Sequence, residues 1–392
     1  MKTSSNIWKY YLFEALWSLV FFFPIFQLFY LARELSITEI AFISVAFSIS
    51  RVTLEIPSGV LADKWGRKKT LFLSQTLFII SMIFIIYSHS FYLFFIAAVI
   101  EGAWFATYSG TASSFLYDSL KEIKREKEYE KISGRGYLLT GTVGALAALG
   151  AGFLFNIDIT LPYKLSIVTM VLSLVVISYF KEPKFHKPLN EENIFSHFKS
   201  SMKKVFNTEA LAFIVIFGTF VSFVFFYTFT YSQIYFKLIN IPVAWFGIIF
   251  ALAALTEGLG GLSADKIKNK FSYRKIFSLS LLLVILITFS ISQIKDYLGI
   301  LLLLLAMFLY GMFRIIQRGY IHKRVESHNR ATIESVSAFG IGIFAVVFEP
   351  IAGKIADIYD IQKSFLALGI VLLVYAIYYF TFKFNKENLF RK

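Results

Sequence analysis

The stretch Glu55-Ile56-Pro57-Ser58-Gly59-Val60-Leu61-Ala62-Asp63-Lys64 returns 202 residues later as Glu257-Gly258-Leu259-Gly260-Gly261-Leu262-Ser263-Ala264-Asp265-Lys266. Glu, Gly, Ala, Asp and Lys hold the same places in both copies, and each copy closes a long apolar run. Five matches at one offset, at the same place in each half, indicate an internal duplication. Parallel halves related by an axis along the membrane normal are an architecture of secondary transporters, with substrate bound between the halves.

Composition places the rest of the chain in the same solvent. Of 392 residues, 57% are hydrophobic, 19% aromatic and 16% charged, and the mean hydropathy is +0.67. A soluble domain is about half apolar and about a quarter charged, and a water-soluble fold could not cover this much apolar surface. The chain is therefore an integral membrane protein. With no Cys, it has no disulfide, thiolate metal site or Cys nucleophile. His89, His186, His197, His322 and His328 all fall between apolar runs and form no metal-ligand pair within a span. The chain has no G-x-x-x-x-G-K-[ST] loop for ATP phosphates. We expect no cofactor, no metal and no enzymatic activity.

Apolar runs of roughly 20 residues, the length needed to cross a bilayer, occur twelve times. They cover about 8–32, 38–62, 70–88, 92–118, 135–156, 162–180, 207–236, 241–264, 274–292, 297–321, 331–356 and 364–383. The pattern predicts an all-α polytopic fold of two pseudo-symmetric six-helix bundles. The expected organisation is 1–180, a cytoplasmic linker 181–206, and 207–392. The linker carries Pro183, Pro188 and six Lys.

Lys and Arg set the direction. With the N-terminus inside, thirty of the 39 fall on inner segments. Six fall outside (Arg33, Lys164, Lys237, Lys295, Lys354 and Lys363), and Arg51, Arg314 and Arg318 lie within spans. This bias puts both termini and the linker in the cytoplasm. It also accounts for the net charge of +14 without nucleic acid, because basic inner loops face anionic inner-leaflet lipid. The outer loops are too short for a receptor domain.

The loop after span 2 reads Gly59-Val60-Leu61-Ala62-Asp63-Lys64-Trp65-Gly66-Arg67-Lys68-Lys69-Thr70-Leu71. It resembles the signature loop G-x-L-a-D-r-x-G-r-k-x-x-l of the major facilitator superfamily, and Gly261 to Lys266 resembles that family's degenerate second copy. Arg330-Ala331-Thr332 before span 11 and Tyr117-Asp118 closing span 4 are similar to a bacterial drug-efflux-like subgroup. The resemblance implies a bacterial plasma-membrane carrier, functional as a monomer, that moves a small organic solute by alternating access. It further implies a conformational latch built from Gly59, Asp63, Gly66, Arg67, Lys68 and Asp118. Gly59 would let a neighbouring helix approach. Asp63 would face the positive N-terminus of the helix starting near Ala331, and Arg67 and Lys68 would pair with acids such as Asp118. Two antiporter marks are missing: Ala98 stands where an Arg is usual, and the span 5 Gly-Pro pair lacks its Pro. Gly141, Ala145, Ala148 and Gly152 remain there as a small-residue face suited to helix packing.

Charged residues at membrane depth are costly and usually face the bundle interior or water. Arg51, Glu55, Gly59 and Asp63 form one helical stripe, and Glu257, Gly261 and Asp265 form its counterpart. Arg51, Glu55, Glu257 and Asp265 are read as structural charges, with Arg51 and Glu55 neutralising each other across a turn. The family fold implies that spans 1, 4, 7 and 10 line the cavity. Their polar and aromatic residues are Glu14, Trp17, Phe21, Glu101, Tyr108, Tyr227, Tyr231, Gln233, Tyr310, Arg314, Gln317 and Arg318. Burial disfavours the charged form of a carboxyl, which makes Glu101 the first candidate proton site and Glu14 the second. Arg314 and Arg318 either bind an anionic group or pair with Glu101 or Glu14. The expected function is proton-coupled export of amphipathic, drug-like compounds, with uptake of a metabolite or sugar as the alternative. A membrane sensor without transport, or an intramembrane enzyme, ranks below both.

Overall fold

The computed structural model describes residues 4–183, 202–203, 205–324 and 330–390. Among these the regular structure is helical throughout. Eleven segments are long and apolar enough to cross a membrane. In the first half, the elements are α1 (Asn6–Ser18), α2 (Phe26–Ala32), α3 (Ile37–Trp65), α4 (Arg67–Tyr87), α5 (Phe91–Glu122), α6 (Tyr129–Ile157) and α7 (Leu161–Ser178). The second half has α8 (Glu209–Leu238), α9 (Phe246–Lys270), α10 (Tyr273–Ile291), α11 (Leu298–His322), α12 (Arg330–Ile358) and α13 (Ile361–Tyr378). A π turn over Tyr379–Lys383 follows α13.

The expected first span, 8–32, departs from the sequence reading. It is not one helix but two, α1 and α2, separated by Leu19–Ile25. Pro24 explains part of this, since it has no N–H to donate and pushes the preceding residue out of the helical region. The remaining eleven runs appear as the eleven spanning helices.

The chain divides into two compact units. The first comprises Met1–Leu35, Phe42–Ile194 and Val243–Ile248; the second comprises Ser36–Ala41, Phe195–Pro242 and Ile249–Lys392. The expected linker lies mostly outside the described residues.

In the first unit, α4 packs on α5 and α7, and α1 on α6 and α7. At the end nearer the N-terminus, Phe13, Leu71, Phe115, Leu120, Ile177 and Phe180 form a fully buried cluster. Phe115 stacks on Phe180 with 4.4 Å between centroids. Burying a side chain of this size contributes about 1.5–3 kcal/mol where it leaves water; within a bilayer the gain comes from packing and hydrogen bonds. Asn6 ties the N-terminus to this cluster. Its amide donates to the Lys181 carbonyl at 2.8 Å and its carbonyl accepts the Lys181 N–H at 3.0 Å. The small-residue face of α6 packs closely: Gly152 lies against the Val243 carbonyl, and Gly247 against the Ala148 carbonyl.

In the second unit α8 packs on α11, α12 and α13. Tyrosine hydroxyls donate to polar partners along its length. Tyr227 donates to Ser364 at 2.8 Å, Tyr231 to Glu349 at 3.0 Å and Tyr235 to the Ile294 carbonyl at 2.9 Å. The turn Ser36–Ala41 belongs to this unit. There the Asp357 carboxylate accepts the N–H of Ile37 at 2.7 Å and of Thr38 at 3.0 Å, serving two donors that a helix start leaves without an intrahelical acceptor.

Candidate functional site

Three groups of side chains in the structure bear on function, and each lies within one compact unit. The first is the loop between α3 and α4. Gly66 has φ +98, a conformation that glycine adopts without steric cost, and this sharp turn starts α4 at Arg67. Arg67 swings back to Asp63 at 2.7 Å and reaches Asp118 on α5 at 3.5 Å. All three side chains are at most 14% exposed, so the network is largely shielded from solvent. Lys68 does not pair with Asp118; its ammonium donates to the Ser178 carbonyl at 2.6 Å. Gly59 is exposed and has no atom within 4 Å of where a Cβ would stand. The expected close helix approach is found instead at Gly102, where a Cβ would lie 2.6 Å from the Phe47 carbonyl. The helix start near Ala331, the expected partner of Asp63, has side chains outside the described residues.

The second group surrounds the break in the first span. Glu14, on α1, is 7% exposed. Its two oxygens accept from the Tyr108 hydroxyl at 3.1 and 3.2 Å. Tyr108 in turn stacks on Trp17 at 4.4 Å and 10°. Glu101 lies on α5 in a different setting. Among the described residues it makes no hydrogen bond or ion pair, and its carboxyl lies within electrostatic reach of Tyr30 and Tyr163. Those rings pack on Phe94 and Phe29 at 5.3 and 4.5 Å. Phe21 contributes its backbone: its N–H donates to Ser166 at 3.0 Å.

Arg51 lies within electrostatic reach of Glu55. No ion pair joins them; the guanidinium sits 4.2 Å from the Phe105 ring, a cation–π contact available to a charge at membrane depth.

The third group is in the second unit. Arg314 pairs with Glu257 at 3.1 Å and lies over Tyr310 at 5.6 Å. Arg318 is exposed one turn on, within electrostatic reach of Tyr310. Gln317 is buried against Gly218, where any Cβ would overlap its amide. Gln233 is fully buried. Asp265 accepts from Asn269 at 3.1 Å, one turn along its own helix.

Two carboxylates are absent from the sequence reading. Glu349, 1% exposed, takes the Tyr231 hydroxyl; its signal was an acid within an apolar run, directly before Pro350. Glu182 caps the start of α4, and its signal was weak, an acid among linker lysines. No cluster of metal-binding side chains occurs among the described residues.

Comparison with known proteins agrees with this architecture. The family model described as Major Facilitator Superfamily matches residues 12–336. An uncharacterized MFS-type transporter, YxaM of Bacillus subtilis (strain 168), is 23% identical over 389 residues, covering 97% of this chain and 96% of its own. Among solved structures, a mutant of nucleoside transporter NupG superposes with TM-score 0.79 at 15% identity, covering 98% of this chain and all of that one. A D-xylose–proton symporter superposes with TM-score 0.69 at 14% identity, with 98% of each chain covered. The chain belongs to the Major Facilitator Superfamily of membrane transporters.

Proposed function

We propose that the protein is a proton-coupled secondary transporter that exports amphipathic, drug-like solutes across a bacterial plasma membrane, with both termini in the cytoplasm. The observation that carries the coupling is Glu101. A carboxyl on a spanning helix, with no ion pair or hydrogen bond among the described residues, is a functional group by default. Glu14, held by Tyr108, is the second proton site. The 63–67–118 network supports a latch, because Arg67 reaches carboxylates on two different helices.

The experiment is transport in proteoliposomes under an imposed pH gradient. Uphill solute movement that follows the gradient and collapses with a protonophore supports the reading. Movement indifferent to the gradient removes the proton. Topology is tested separately with introduced cysteines, since the chain has none of its own. Tyr87→Cys should react with an impermeant maleimide in intact cells and Lys124→Cys should not; the reverse pattern inverts the protein.

A second reading, uptake of a metabolite or sugar, draws on solved structures of the same fold, a nucleoside transporter and a D-xylose–proton symporter. The sign of the pH gradient that drives accumulation separates the two.

A further inference from the structure

The first compact unit contains an interrupted span and, around it, buried donors that lack acceptors. α1 ends at Ser18 and α2 begins at Phe26. Two side chains of α7 serve this gap: Thr169 donates to the Leu19 carbonyl at 3.1 Å and Ser166 takes the Phe21 N–H at 3.0 Å. Among the described residues, no backbone N–H outside the regular helices donates to the carbonyls of Val20 and Phe21. Irregular backbone at membrane depth persists where it is buried in protein or lines a cavity, and interrupted spans mark ligand sites in transporters.

Independent of the backbone, three side chains point to a ligand. Nε1 of Trp17, Nε1 of Trp104 and the hydroxyl of Tyr163 are buried, with no hydrogen-bond partner among the described residues. Trp104 is 7% exposed and Tyr163 1%. Buried donors are almost always paired, so a group of three needs an explanation. The two indoles are ring neighbours, and Tyr163 joins them through two intervening Phe rings. Trp17 lies 6.2 Å from Trp104, and Trp104 lies 4.8 Å from Phe78. Phe22, within the break, links Phe78 at 6.2 Å to Tyr163 at 4.8 Å.

We propose that the Leu19–Ile25 break is a substrate subsite for a planar ring bearing carbonyl-type acceptors. The ring lies along the Trp17–Tyr108 stack, and its oxygens accept from the indole N–H groups of Trp17 and Trp104. Ring N–H groups of the same solute donate to the Val20 and Phe21 carbonyls. The inference rests on the transporter reading and names the class of solute. A lipophilic cation would engage Glu14 or Glu101 instead and would leave the indole donors unserved.

The test uses the purified full chain with uracil, uridine and riboflavin as planar, acceptor-bearing probes. Tetraphenylphosphonium and D-xylose are the contrasts. At least one planar probe should raise the melting temperature and quench tryptophan fluorescence. Trp17→Phe and Trp104→Phe keep an aromatic ring and remove the N–H, so each should raise the Kd of that probe about five- to tenfold. Trp8→Phe, at an exposed ring, should leave it unchanged. Because Phe preserves most of the packing, the melting temperature without ligand checks folding in each variant. Binding by none of the planar probes, or binding with the same Kd in both Phe variants, overturns the subsite while leaving the transporter reading intact. That reading fails on a different result: wild-type proteoliposomes that move no solute under any gradient.

Discussion

The Glu182 carboxylate accepts the main-chain N–H of Arg67 at 2.6 Å and, through its other oxygen, that of Lys68 at 2.8 Å. It therefore serves as the side-chain cap of α4, supplied from 115 residues away in sequence. A carboxylate on orphan N–H groups at a helix start is favoured both by hydrogen bonding and by the helix dipole. Glu182→Ala should cost about 1 kcal/mol, read as a lower melting temperature in the purified protein. An unchanged melting temperature would show that this cap contributes nothing.

Gly66 is the companion position. A side chain there meets both the positive φ of +98 and the Glu182 carboxylate, 2.8 Å from an added Cβ. Gly66→Ala should destabilise by about 1–2 kcal/mol. In the Gly66→Ala/Glu182→Ala double variant the clash is gone and the backbone strain stays. The two losses should therefore sum to more than the double variant shows. Strict additivity in chemical denaturation would mean that the two positions do not meet.

Asp63→Asn removes one of the two carboxylates held by Arg67. Expression and solute binding should be retained while transport slows, because a contact worth a few tenths to about 2 kcal/mol is lost from one conformation only. Wild-type transport together with unchanged accessibility of reporter cysteines on the two sides would rule out a switching role.

Glu101→Gln keeps shape and hydrogen-bonding capacity but cannot release a proton. Driven movement should disappear while solute-for-solute exchange persists, since a carrier fixed in the protonated state still alternates. Glu14→Gln is the comparison, and it also loses the charge that Tyr108 serves. If Glu101→Gln still moves solute uphill at the wild-type rate, Glu101 is structural.

Asp158, between α6 and α7, supplies a pH dependence outside the spans. The Thr160 N–H and hydroxyl, with the Lys164 ammonium, hold its carboxyl down at about 2. A depressed folded-state value means stability present above the ordinary carboxylate range and lost as pH falls through that folded value. The melting temperatures of wild type and Asp158→Asn should differ by a constant amount near neutrality. They should converge as pH drops from about 4 toward about 2. A gap that does not narrow would show that these bonds do not act on the folded state.

Much of the fold was legible because the bilayer enforces it. Eleven of the twelve apolar runs are continuous helices, since a backbone in hydrocarbon must satisfy itself within the segment. The broken run at 8–32 was not legible, although Pro24 was in plain view, because proline also sits inside the continuous helices α3 and α12. What separates the cases is the partner: Thr169 and Ser166 of α7 take up the freed backbone of the first span, and no local pattern names them. The loop after α3 was readable as a charged turn, and its link from Arg67 to Asp118 was expected. Its cap, Glu182, was not, because the capping residue lies far along the chain.

The sequence by itself determined the membrane setting, the number and rough limits of the apolar runs, the duplication and the family. These depend on composition and local periodicity, which a bilayer converts directly into structure. Only the tertiary structure decided which charges meet. Arg314 pairs with Glu257, Arg51 lies over the face of Phe105, and Glu349 takes the Tyr231 hydroxyl. The reason is geometric. The spacing of residues along one helix fixes which side chains share its face. The partner across the interface is set by the rotation and depth of a second helix, and those follow from packing the whole bundle at once.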